Sequence, residues 1–247
     1  LKQVAVLEKV QAMRNGWGAL TARLRKLEER NDWRAAQSEL AAWQFPRDYP
    51  EHGATVEKVE AMKTEFKALL KALDELVEKN DARALRTKLD AWRYPSGSTT
   101  RYPEYDFFIQ KLQSLEVELK DSMMRFDAEK EKLDWRAAQM ELSAWKFPRD
   151  YPVHRAMTEE VEKMKTQWNR VLMELGELQE RNDVKALQTK LGVWKFPKTS
   201  GYAEFWGYTE VLRGLEAGFQ HSMMRCDFGV GTHDWRAVQT ELDAWPR

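Results

Sequence analysis

In a chain of 247 residues, 40 Lys and Arg offset 40 Asp and Glu, so overall charge argues against nucleic acid or an anionic membrane as the main partner, and the balance itself invites self-association. The lone cysteine, Cys226, excludes an internal disulfide and mildly favours a reducing, cytoplasmic setting. No apolar run approaches the roughly eighteen residues of a membrane span, so no membrane insertion is expected.

The first element is a helical stretch carrying Met13 and Trp17, followed by the segment DWRAAQSELAAW at 32–43. In that segment Trp33, Ala36, Leu40 and Trp43 fall at offsets 1, 4, 8 and 11, which is one face of a helix. Asp32 stands where an N-cap would sit, and Pro46 is expected to end the short helix. The loop FPRDYP (45–50) leads to a second long helical stretch, 56–80, whose apolar stripe runs from Val56 through Val59, Met62 and Phe66 to Leu73 and Val77.

From there the pattern returns. DARALRTKLDAW (81–92), DWRAAQMELSAW (134–145), DVKALQTKLGVW (183–194) and DWRAVQTELDAW (234–245) align with the first short segment without gaps. Turns at Asn31-Asp32, Asn80-Asp81 and Asn182-Asp183 would fold each short helix back on its long one. The predicted fold is all-α: five tandem αα-hairpins of about fifty residues, with approximate units 1–46, 47–95, 96–148, 149–197 and 198–247, in one domain shaped as an elongated solenoid or an array of bundles.

The copies alternate in kind. FPRDYP recurs at 147–152, 102 residues after its first occurrence, whereas the even copies carry YPSGSTTRYPEY (94–105) or FPKTSGYAEF (196–205). Two long stretches end in SMMRFD (122–127) or SMMRCD (222–227); their methionines are read as core filling. The last long stretch contains Gly207, Gly214 and Gly218, with Gly229-Val230-Gly231 just before the final short helix, and that end is expected to be looser or to break before 229. With no initiating Met and an end at Pro246-Arg247, the chain reads as a processed product or a piece of a longer array.

Eight tryptophans at one fixed face, Trp33, Trp43, Trp92, Trp135, Trp145, Trp194, Trp235 and Trp245, are expected to be structural anchors whose indole N–H groups need acceptors. One position alternates in charge through the copies: Glu39, Lys88, Glu141, Lys190, Glu241. Side-by-side stacking of short helices would set these opposite charges next to each other; the alternative is a solvated face inherited with the duplication. The two FPRDYP loops supply the candidate partner-binding residues Phe45, Arg47, Asp48, Tyr49, Phe147, Arg149, Asp150 and Tyr151.

No nucleotide-binding glycine loop, hydrolase elbow or zinc motif occurs, and His52 and His154 lack companions at metal-ligand spacing, so no catalytic residue, metal or cofactor is expected. The turn Asn31-Asp32-Trp33-Arg34-Ala35-Ala36 is similar to the inter-helix turn of tetratricopeptide-like repeats, and the 102-residue period is near that of spectrin-type repeats. The fifty-residue spacing departs from the first and the long-short alternation from the second, so neither family is assigned. The expected function is a non-catalytic scaffold or structural protein that binds protein partners or copies of itself. The alternatives are a carrier holding a hydrophobic ligand between long helices, for which a chamber of about 300 Å³ or more would speak, and a secreted helical effector.

Overall fold

The computed structural model describes residues 2–43, 50–95, 102–232 and 234–243. Among these the chain is all-helical: ten α-helices, no strands, and 83% of residues in helix. Long and short helices alternate along the chain. The long ones are α1 (Lys2–Glu29), α3 (Pro50–Glu78), α5 (Glu104–Glu131), α7 (Pro152–Glu180) and α9 (Ala203–Gly231). Between and after them come α2 (Trp33–Ala41), α4 (Ala82–Asp90), α6 (Trp135–Ser143), α8 (Val184–Gly192) and α10 (Trp235–Asp243).

Each turn from long to short helix is built in a similar way. Asn31, Asn80 and Asn182 take φ of 53°, 52° and 52°, the left-handed conformation that Asn tolerates, and Leu133 takes 54° at the equivalent turn before α6. At the first turn the Asn31 N–H donates to Glu28 O and the Asp32 N–H to Leu27 O, which satisfies the last carbonyls of α1. The next residue then starts the short helix. Asp32, Asp81, Asp134, Asp183 and Asp234 each accept, through Oδ1, the N–H three residues on, at 2.9–3.1 Å.

The short helices are nine residues long, shorter than the twelve-residue pattern implies, and they stop before the closing tryptophan. The first four end five residues ahead of the next proline in the sequence, so the proline does not itself break the helix. Leaving the helix early lets the tryptophan ring turn onto the long helix. Trp43 meets Trp17 at 5.1 Å, Trp92 meets Phe66 at 5.9 Å and Trp194 meets Trp168 at 5.2 Å, all edge-to-face.

The chain divides into two compact units, Leu1–Lys120 with Lys146–Pro148, and Asp121–Trp145 with Arg149–Arg247. In the first unit α2 packs against both α1 and α3. Its core joins Leu20 and Leu24 of α1, Ala36 of α2 and Val59 of α3. In the second, Phe126 of α5, Ala138 and Leu142 of α6, and Met157, Val161 and Met164 of α7 form the corresponding core. A further cluster there joins Leu175, Leu187, Leu191 and Phe205. Each buried aliphatic or Phe side chain of this kind contributes about 1.5–3 kcal/mol relative to exposure.

Two expectations are corrected. α9 does not break before residue 229; it runs without interruption to Gly231. Gly229 is where α10 comes closest, since a Cβ there would stand 2.7 Å from Val238 Cγ2, whereas Gly207, Gly214 and Gly218 face open space. The methionines at the ends of α5 and α9 are not all core filling either: Met124, Met223 and Met224 are exposed. On α5 it is Ser122 and Phe126, one helical turn apart, that take the buried positions.

Candidate functional site

The most specialised cluster in the structure occurs twice, once in each unit, and it begins at the N-cap of an odd-copy short helix. In the first unit the phenol of Tyr102, just before α5, donates to Asp32 Oδ1 at 3.1 Å and accepts from the Arg34 N–H at 3.2 Å. The same Asp32 oxygen holds the cap bond to Ala35. The Arg34 side chain then reaches Glu104 with two nitrogens, at 2.5 and 3.3 Å. Its guanidinium lies over three rings, Trp33, Phe66 and Tyr102, at 5.3, 5.4 and 4.7 Å.

The second unit repeats the arrangement with residues 100–102 positions later. Tyr202 donates to Asp134 Oδ1 at 2.7 Å and accepts from the Arg136 N–H at 3.3 Å. Arg136 pairs with Glu204 at 2.7 Å and lies over Trp135, Trp168 and Tyr202 at 5.2, 5.6 and 4.6 Å. An Asp-Trp-Arg triplet at one helix start is thus latched to a Tyr-x-Glu triplet at another, with a ring from the intervening long helix between them.

The electrostatics are those of attachment. Burial pushes the Tyr102 phenol up to about 12 and raises Tyr202 as well, with the Asp acceptor adding to the shift in both. Both phenols stay un-ionised near neutral pH. Burial alone would raise the Glu204 carboxyl, but the Arg136 hydrogen bond and a backbone N–H outweigh it and hold it below its usual range.

Of the expected anchors, Trp33 is buried, and Trp43, Trp92, Trp135, Trp145 and Trp194 are half-buried. Trp235 is exposed, against expectation, whereas α3 packs its Phe66 against Trp33. Trp245 lies outside the described residues. The indole Nε1 atoms of Trp33, Trp92, Trp135 and Trp194 are buried without an acceptor among the described residues. Aromatic rings stand beside three of these indoles, Phe66 by Trp33, Tyr94 by Trp92 and Phe205 by Trp194.

Phe45, Arg47, Asp48 and Tyr49 lie outside the described residues. Of their counterparts, Phe147 and Tyr151 are buried while Arg149 and Asp150 are exposed. His52 and His154 pack against Trp17 and Trp145, with ring centroids 6.3 and 5.5 Å apart.

The alternating charge row is not a contact between neighbouring short helices. Glu39, Glu141 and Glu241 pair within their own hairpins with Arg23, Arg125 and Arg225, each sixteen residues earlier, at 3.0, 3.0 and 2.9 Å, and Lys190 pairs with Glu174 in the same way. At Lys88 the place sixteen residues back is Ala72, so that pair has no acid to form with.

One open surface depression, of about 770 Å³, is lined by Arg149, His154, Arg155, Glu159, Glu162 and Lys163 among others. Another, of about 350 Å³, sets Arg170, Glu174 and Lys190 beside Val171, Trp194 and Phe196. Both exceed the size a ligand chamber would need, and their linings mix charged with apolar surface. Among the described residues no three His, Cys, Asp or Glu come together as a metal site, and no helix is long and apolar enough to cross a membrane.

No short-range pattern in the sequence groups Arg34, Tyr102 and Glu104, or their counterparts, as one set. The signal is at long range: Tyr-x-Glu follows Asp-Trp-Arg by seventy residues at Tyr102 and by sixty-eight at Tyr202. No family model matches the chain, and no curated protein or solved structure matches it either.

Proposed function

We propose that this chain is a non-catalytic scaffold of tandem helical hairpins, which presents protein-binding surfaces at places that recur along the chain. The observation that supports this most is the duplicated latch. Its ionisable and aromatic residues serve to join one helix start to another. Recurrence after 100–102 residues gives whatever surface the hairpins carry a second, equivalent presentation. Two weak sites on one support then act with an effective concentration that neither has alone.

The test is capture of protein partners on the immobilised chain, comparing the intact protein with Arg149→Glu and Asp150→Lys variants at the exposed loop positions. Specific partners retained by the intact chain and lost or weakened at least several-fold by charge reversal are expected. Retention of no protein under conditions of low salt, or retention indifferent to both reversals, would sink the reading of those loops as docking sites.

A further inference from the structure

The second unit departs from the first around one turn. Where a long helix gives way to a short one, Asn31 Nδ2 donates to Arg93 O at 3.5 Å and Asn80 Nδ2 to Lys146 O at 3.2 Å. Each amide thus ties its turn to the residue that follows a later closing tryptophan, Trp92 or Trp145. The next such turn carries Leu133, and the carbonyl in the corresponding place, that of Lys195, receives no hydrogen bond from any described residue. Leu133 keeps the left-handed φ of 54°, which Asn tolerates and a bulky Leu rarely adopts. Its side chain packs on the cluster of Trp168, Phe196 and Tyr202.

Two further changes fall beside it. Arg170 and Glu174 of α7 stand 102 residues after Ala68 and Ala72 of α3. Glu174 accepts from Lys190 and, at 3.0 Å, from Arg170, and these hydrogen bonds hold its carboxyl below the usual range, so it is charged. Leu133, Arg170, Glu174, Lys190 and Lys195 all line the depression of about 350 Å³, together with Val171 and Trp194. Its charges are three cations to one carboxylate. At Gln167 it meets the depression of about 770 Å³, which follows α7 back to His154. From His154 to Gln167 is about 20 Å of helix, the span of about six residues of extended chain.

We infer that this trough takes the C-terminal segment of a partner protein, one that ends in a large apolar residue. Such an end group brings three things together on one carbon: a carboxylate, an apolar side chain and an N–H. The carboxylate meets the surplus of positive charge at Lys190 and Lys195. The side chain lies against Leu133, Val171 and Trp194, and the N–H donates to Lys195 O in place of the amide that Asn31 and Asn80 supply at the other turns. The residues before it run along α7, where Arg155, Glu159, Glu162 and Lys163 offer partners of both signs. A free acid would occupy only the smaller depression, so the length of the trough favours a chain.

This inference rests on the scaffold reading and names the part of a partner that is recognised. Isothermal titration calorimetry on the full chain tests it, with the peptide acetyl-Gly-Ser-Gly-Ser-Gly-Phe carrying a free carboxylate. Saturable binding is expected, weakened at least tenfold by amidation of the terminus, by Gly in place of the Phe, and by Lys195→Glu at an exposed position of the protein. N-acetylphenylalanine, the end group alone, should bind at least threefold more weakly than the peptide. Leu133→Asn restores the amide of the other turns and a residue at ease at positive φ, so it should leave helicity unchanged and weaken binding at least fivefold. No saturable binding, equal affinity for the amidated peptide, or a Leu133→Asn or Lys195→Glu protein that binds like the unmodified chain would each overturn the inference. Equal affinity for N-acetylphenylalanine would assign the pocket to a free acid and overturn it as well. Partners captured in the preceding experiment through the exposed loop would still stand in every one of these cases, so the two failures are distinguishable.

Discussion

At the scale of single residues, the phenol hydroxyls of Tyr102 and Tyr202 hold an unusual share of the structure, each bonded to a cap carboxylate and a helix N–H at once. Tyr202→Phe removes the acceptor of the Arg136 N–H and one donor to Asp134. A loss of about 1–2 kcal/mol in equilibrium unfolding is expected. The raised pKa values give a second consequence. A phenol whose folded pKa lies above its unfolded value of 10.0 contributes stability that is fully present below pH 10 and lost as pH rises through the folded value, about 12 for Tyr102. Stability should therefore be flat in this respect up to about pH 10 and fall between pH 10 and 12, with tyrosinate absorbance near 295 nm appearing alongside the loss of helical circular dichroism. The latch was not legible as a contact because its two halves stand about seventy residues apart, and only three-dimensional packing brings Arg34 to Glu104.

At the scale of elements, helix identity was largely legible, and the reasons are local. Asp caps, left-handed Asn turns and apolar spacing all act within a few residues, and the five caps fall where the sequence places them. What failed was a judgement that needed the neighbour. The glycines of α9 lower its helix propensity, but packing of α10 on Gly229 and the uninterrupted backbone ladder hold the helix together. Two substitutions separate these effects. Gly214→Ala faces open space, so it should raise stability by about 1 kcal/mol. Gly229→Ala would put a methyl group into Val238 and should lower stability by about 1–3 kcal/mol despite its better propensity. Thermal unfolding followed by circular dichroism reads both, and equal signs for the pair would contradict the packing account. The charge row shows the same limit. Its regularity was visible, but sixteen-residue pairing inside each hairpin depends on how a short helix lies along its long one.

At the scale of the whole molecule, the period near 102 residues sorts the chain into equivalent positions, and those positions carry the functional argument. Leu133 stands out only because Asn31 and Asn80 show what the same turn does when it carries an amide. The central claim is that the Asp-Trp-Arg and Tyr-x-Glu triplets act together as a joint between helices. A double-mutant cycle on Asp134→Ala and Tyr202→Phe, measured by equilibrium unfolding of the full chain, tests it most directly. The account expects a coupling free energy of about 1 kcal/mol or more, since either change removes the same hydrogen bond. Costs that add to within about 0.3 kcal/mol would mean that the two residues stabilise the protein independently, and would contradict the joint.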